Sequence, residues 1–155
     1  MDIEKKYELI PSDKEGLYRI KALKDFNDVK NGDIGGYIQS ENNLSQLGDC
    51  WIYDAIVRDN AQVCNNARVY DNAKVYGNAR VCDDAIVRDD ARVFVNAQIY
   101  DNAQIYDDAI VHDDTIVCGD TEVSGNAEVS GDARIWGNAQ ICGDAQICGD
   151  AIISS

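Results

Sequence analysis

From residue 57 to residue 153 a Val or Ile stands at every sixth position, seventeen times without a break. Wherever another unit follows, the fourth residue on is Ala, with Thr115 and Thr121 the two exceptions. The third residue on is Asn or Asp, from Asn60 to Asp150. A period of six does not keep one face of a 3.6-residue helix, and Asn, Asp, Gly and Val all disfavour helix. Short strands fit. In Ala73-Lys74-Val75-Tyr76, alternation turns Ala73 and Val75 inward and Lys74 and Tyr76 outward. The Asp-Asn, Gly-Asn or Asp-Asp pair that follows each unit is turn chemistry able to take left-handed conformations. Three units make an 18-residue coil, and coils stack at the sheet spacing of about 4.8 Å. Residues 52 to 155 therefore predict about six coils, a triangular prism roughly 30 Å long. Inward Val or Ile builds the core, Ala keeps the axis narrow, and stacked Asn side chains form amide ladders.

Residues 1–47 break the period. KKYELI, LYRIKAL and GGYIQS read as strands joined by turns at PSDKEG and KNGDIGG. This predicts a β-rich N-terminal cap over 1–47 and a solenoid over 48–155. The step from Ile52 to Val57 is one residue short, which predicts a tightened corner. At the other end the sequence stops in mid-repeat at AIISS, so Ile152 and Ile153 are expected on an open last coil that invites pairing with a second copy.

Charge is uneven. Residues 1–47 carry 9 acids and 7 bases; residues 48–155 carry 19 acids and 7 bases, of a total net charge of −14. Such a body repels a phosphate backbone, so direct nucleic-acid binding is not expected, and basic protein surfaces are. No apolar run is long enough for a membrane span and the N-terminus is too polar for a signal peptide, so the expected location is cytoplasmic, the host cytoplasm if phage-encoded. The six cysteines are then expected as free thiols without metal-ligand spacing.

Stacking places residues 18 apart in columns. A cysteine face carries Cys64, Cys82, Tyr100, Cys118 and Trp136, beside a second column containing Ile116; Cys82, Tyr100, Ile116, Cys118 and Trp136 are the expected partner or oligomer surface. A histidine face carries Arg58, Tyr76, Phe94, His112, Ser130 and Cys148. A tyrosine face carries Tyr70, Arg88, Tyr106, Ser124 and Cys142. At one corner Asp71, Asp89 and Asp107 stack, with Asp90 and Asp108 beside them. Carboxylates about 5 Å apart repel by somewhat under 1 kcal/mol per pair even in water. A bound cation, arginines such as Arg88, or partial protonation must offset this.

The repeat closely resembles the hexapeptide repeat of left-handed parallel β-helix proteins, an aliphatic residue with a small residue four positions on. The fold of that family is all-β, and many of its members are bacterial acyltransferases. The arrangement of SENNLSQLGDCWIYD leading into VYGNA-type units is also similar to uncharacterised bacterial and phage hexapeptide proteins. The resemblance to the acyltransferases implies a His general base beside an acyl-CoA arm. The chain has one His, His112, and no loop insertion from residue 57 onward to build a pocket around it. The expected function is thus a non-catalytic interaction module without cofactor or metal. It binds a protein partner or itself, as a dimer through the last coil or a trimer through a face. In its sharpest form it is a phage-type inhibitor that mimics nucleic-acid charge against a host DNA-handling or defence enzyme. The alternative is a hexapeptide-type acyltransferase using acyl-CoA.

Overall fold

The computed structural model describes residues 4–154; the first three residues of the expected cap and Ser155 lie outside them. Three strands come first: β1 (Tyr7–Pro11), β2 (Tyr18–Ala22) and β3 (Ile34–Ile38). A run of two-residue strands follows, from Trp51–Ile52 to Ile152–Ile153, pairing in parallel with strands 18 residues away, except that Trp51–Ile52 pairs with Arg68–Val69 at 17 and Ile56–Val57 with the end of β3 at 19. The result is an all-β parallel solenoid whose three walls are one nine-stranded and two six-stranded sheets. The only helix among the described residues is a 3₁₀ turn at Glu41–Asn43.

The period explains the core. From Val57 to Ile135 every sixth-position Val or Ile is buried, and so is every Ala of the second series up to Ala133. Each buried aliphatic contributes about 1.5–3 kcal/mol of transfer free energy, against the entropy of ordering the chain. Thr115 and Thr121 sit in the Ala series with their hydroxyls buried and unpartnered. Such groups destabilise by about 1–3 kcal/mol each.

The turn pair has a fixed conformation. Its first residue lies in the left-handed region, as at Asp59, Asn65, Asp71, Asp83, Asp89, Asp101, Asp107 and Asp113, with φ between 57° and 63°. Glycine serves from Gly119 to Gly149. Val95 does not fit: a β-branched residue at φ 62°, and 40% exposed. The left-handed conformation is strained for a β-branched side chain. Val95→Asn is expected to raise stability by about 1 kcal/mol, read as a higher urea midpoint at unchanged m.

The solenoid begins earlier than the strict period. Ile38 pairs with Val57, Leu44 bridges to Val63, and Ile52 pairs with Val69. These three aliphatics form the inner positions of a first, irregular coil. Buried Asn43 closes it: its carbonyl accepts the Gln39 and Ser40 N–H groups (2.9 and 3.0 Å), and its amide donates to Ala61 O (2.8 Å). β3 belongs to the nine-stranded wall, so that sheet runs from β1 into the repeats without interruption at residue 47. The short step from Ile52 to Val57 turns its corner at Asp54 with no left-handed residue. Trp51 occupies an outward slot yet is only 2% exposed, because Tyr7 and Phe26 cover it edge-on at 6.3 and 5.3 Å. Lys6 is buried beside them. Its ammonium donates to Cys50 O (2.7 Å) and Gly48 O (3.2 Å) and lies 5.0 Å from the Phe26 ring centroid. Burial lowers its pKa, partly opposed by Cys50.

Candidate functional site

The acidic corner is built by the repeat itself. Asp54, Asp71, Asp89, Asp90, Asp107 and Asp108 line one open groove with Asn72, Gly125 and Asn126. A second groove at the next corner is lined by Asp83, Asp84 and Asp101 with Asn65, Asn66 and Asn102. The left-handed backbone at the first corner residue turns its carboxylate along the stack. Asp89 Oδ2 accepts the Asp107 N–H (3.1 Å), and Asp107 Oδ2 accepts the Gly125 N–H (3.0 Å). The same bond runs from Asp59 to Gly77, Asp83 to Asp101, Asp101 to Gly119 and Asp113 to Gly131, at 2.9–3.1 Å. The answer to like-charge stacking is therefore mainly the backbone: each such carboxylate is held by the N–H of the next coil, a charge-assisted bond. Arg88 adds a salt bridge to Asp89 at 3.2 Å while its guanidinium lies over Tyr106 at 4.3 Å. The second corner residue carries the expected amide ladder, Asn60 to Asn78 to Asn96 to Asp114 at 3.2, 3.3 and 2.9 Å. Below it Asp132 lies between Asp114 and Asp150; desolvation and these two like charges raise its pKa.

The columns lie where stacking puts them. Cys64, Cys82, Tyr100, Cys118 and Trp136 follow the consecutive strands of one six-stranded wall, with Ile116 in the adjoining column. Trp136 is 41% exposed, and Cys64, Cys82 and Cys118 are half-buried. At the far end Ile152 is 65% exposed and Ile153 half-buried. The histidine face carries a flat stack: Arg58 over Tyr76, then Tyr76, Phe94 and His112 with ring planes within 4° and centroids 4.8–4.9 Å apart.

His112 ends that stack, and both its ring nitrogens face carboxylates. Nδ1 is 2.9 Å from Asp113 Oδ1, and Nε2 is 3.0 Å from Glu128 Oε1. Burial alone would lower its pKa; the bonds to Glu128 and Asp113 outweigh burial and raise it. The backbone N–H of Gly131, then His112, holds the Asp113 carboxyl below its ordinary value. With a carboxylate at each nitrogen, the ring links neighbouring coils, and protonating it strengthens both contacts, which opposes a role as a base. A group whose folded pKa is raised stabilises fully below its unfolded value of about 6.5 and less as pH rises through the folded value. Removing this link with His112→Gln should therefore lower the melting temperature most below pH 6.5, and the deficit should shrink on going alkaline. Asp113 works oppositely, its contribution fading as pH falls through its lowered value.

Three residue sets escaped the sequence reading. Ile38 and Leu44 are six apart, and that spacing was the available signal for the first coil. Glu128 joins His112 only because Ile110 and Glu128 are paired in adjacent coils. Lys6 stands in a charged run that gives no hint of its burial. Among the described residues no three His, Cys, Asp or Glu side chains converge closely enough to hold a metal ion, and no helix there is long and apolar enough to cross a membrane.

Parallel strands 18 residues apart, left-handed corners and an Ala-lined axis define a class, and the chain is a hexapeptide-repeat β-solenoid protein. The repeat family described as YdcK Beta solenoid repeat matches residues 61–77, 73–89 and 103–119. A curated relative is the "Uncharacterized acetyltransferase YdcK" of Escherichia coli (strain K12), 55% identical over 38 residues. That match covers 24% of this chain and 12% of the relative.

Proposed function

We propose that the protein is a non-catalytic binding module that presents rigid, regularly spaced carboxylates to a basic surface on another protein. The observation behind this reading is the corner geometry. Backbone N–H groups of the next coil fix the Asp83, Asp89, Asp101 and Asp107 side chains before any partner arrives. Preorganised charge of one sign favours fast, salt-sensitive association with a complementary surface. A partner that normally handles nucleic acid, such as a phage host's DNA-handling or defence enzyme, has such a surface. Self-association through the cysteine face around Trp136 belongs to the same reading. Light scattering at micromolar concentration should give more than the monomer mass; a strict monomer counts against it.

Asp89, Asp90, Asp107 and Asp108 changed together to Asn test the charge. Asn keeps an oxygen for the backbone N–H and loses the charge together with the partly exposed Arg88–Asp89 ion pair, which contributes little, so the fold should persist. Capture of a basic protein should fall at least tenfold. Equal capture would remove the charge reading.

The competing reading is an acyltransferase using acyl-CoA, suggested by the name of the Escherichia coli relative. It needs His112 as base, and the two carboxylates on that ring oppose it. It predicts thermal stabilisation by coenzyme A and loss of turnover in His112→Ala.

A further inference from the structure

Cys64 and Cys82 occupy the same outward slot of adjacent parallel strands. Gln62 and Val63 pair with Arg80 and Val81, so the two cysteines that follow are lateral neighbours, with Cys64 N–H bonded to Val81 O at 3.0 Å. In-register parallel neighbours lie about 4.8 Å apart, inside the Cα range of about 4.4–6.8 Å that a disulfide tolerates. Both thiols are free and half-exposed. Arg80 reaches back across the same two coils to Gln62 at 3.1 Å, which sets a cation beside them. We propose that Cys64 and Cys82 form a peroxide-reactive dithiol, in which Cys64 is the attacking thiolate and Cys82 the resolving thiol.

The chemistry balances. The Cys64 thiolate attacks one oxygen of hydrogen peroxide; the O–O bond breaks and hydroxide leaves, giving a sulfenic acid. Cys82 sulfur then attacks the sulfenic sulfur; the S–S bond forms, the S–O bond breaks, and water leaves with the Cys82 proton. Two thiols are oxidised and one peroxide becomes two waters. The division of roles follows from their surroundings. The hydrogen bond from Cys82, and then Arg80, draw the Cys64 pKa down to about 7, against burial and Asp83. The same thiol–thiol bond, with burial, pushes Cys82 up. A thiolate present at neutral pH is the competent nucleophile.

Other cysteines lack the arrangement. Cys118 is separated from Cys82 by Tyr100, which bonds to it. Cys142 and Cys148 are more exposed but follow strands of the two other walls. Cys50 is buried, and burial raises its pKa.

Treating the folded protein with sub-stoichiometric hydrogen peroxide near pH 7.5, followed by peptide mapping, tests the proposal. The first product should be the Cys64–Cys82 disulfide. In Cys82→Ser a 1,3-diketone probe should mark Cys64, and in Cys64→Ser the disulfide should vanish; circular dichroism reports that both remain folded. Alkylation by iodoacetamide at pH 7 should reach Cys64 about tenfold faster than an ordinary exposed thiol. First oxidation at Cys142 or Cys148, or alkylation of Cys64 no faster than of those two, would overturn it.

Discussion

Trp51→Ala is expected to lower the stability of the protein by about 3–5 kcal/mol, the largest loss from any single truncation. Trp51 lies in an outward slot of the first coil but is closed over by Tyr7 and Phe26, edge-on at 6.3 and 5.3 Å. The Lys6 ammonium lies over the Phe26 ring and ties the Gly48 and Cys50 carbonyls together. Removing the indole leaves a void that β-strand hydrogen bonds cannot collapse, since the strand Trp51–Ile52 is fixed in register against Arg68–Val69. Urea unfolding with the linear extrapolation reads the change as a shift in midpoint. A loss below about 1 kcal/mol would mean that β1, β2 and the Phe26 loop are not part of the same cooperative unit.

Ala97→Leu should come next, at about 3 kcal/mol or somewhat more. Ala97 is fully buried in the narrow interior, and its carbonyl accepts the Arg80 N–H at 2.9 Å. The coils on both sides are held in register, Gln98 to Arg80 below and to Ile116 above, so the backbone has no direction in which to yield. A Leu at this position must leave its preferred rotamers or pry two coils apart. The same change at an outward residue of that strand, Gln98→Leu, should move stability by less than about 0.5 kcal/mol. Equal effects at the two positions would contradict the assignment of faces.

How the sequence encodes this fold is clearest residue by residue. The six-residue spacing of Val57 to Ile153 carries period, inward face and coil size in one pattern, because alternation along a strand and stacking between coils both depend on counting alone. The corner pair Asp71-Asn72 shows its turn chemistry directly. The use to which its carboxylate is put does not show, since the acceptor and the N–H it holds are 18 residues apart. Ile38 and Leu44 keep the spacing of six, but the next steps, to Ile52 and Val57, are eight and five, and the irregular coil is lost to a strict count. Lys6 is a further case: only tertiary packing distinguishes a buried ammonium from its exposed neighbour Lys5. The outward columns were legible as positions. Their contacts were not, because the Glu128 carboxylate on His112 and the Cys82 thiol on Cys64 depend on side-chain direction.

The role proposed for the corners separates two uses of the same acids. One oxygen of Asp89 or Asp107 holds the next coil, and at Asp89 that oxygen is shared with Arg88. Asp90 and Asp108 sit beside them in the same groove. Neutralising all four therefore probes recognition without removing the bonds that align the stack.

The most direct test is quantitative capture from bacterial cell lysate at low and high salt, with the native protein and the Asp89→Asn, Asp90→Asn, Asp107→Asn, Asp108→Asn variant compared side by side. One basic protein should be enriched by the native chain, released by salt, and reduced at least tenfold with the variant. Capture that is indifferent to both salt and the four substitutions would contradict the role proposed for the corners.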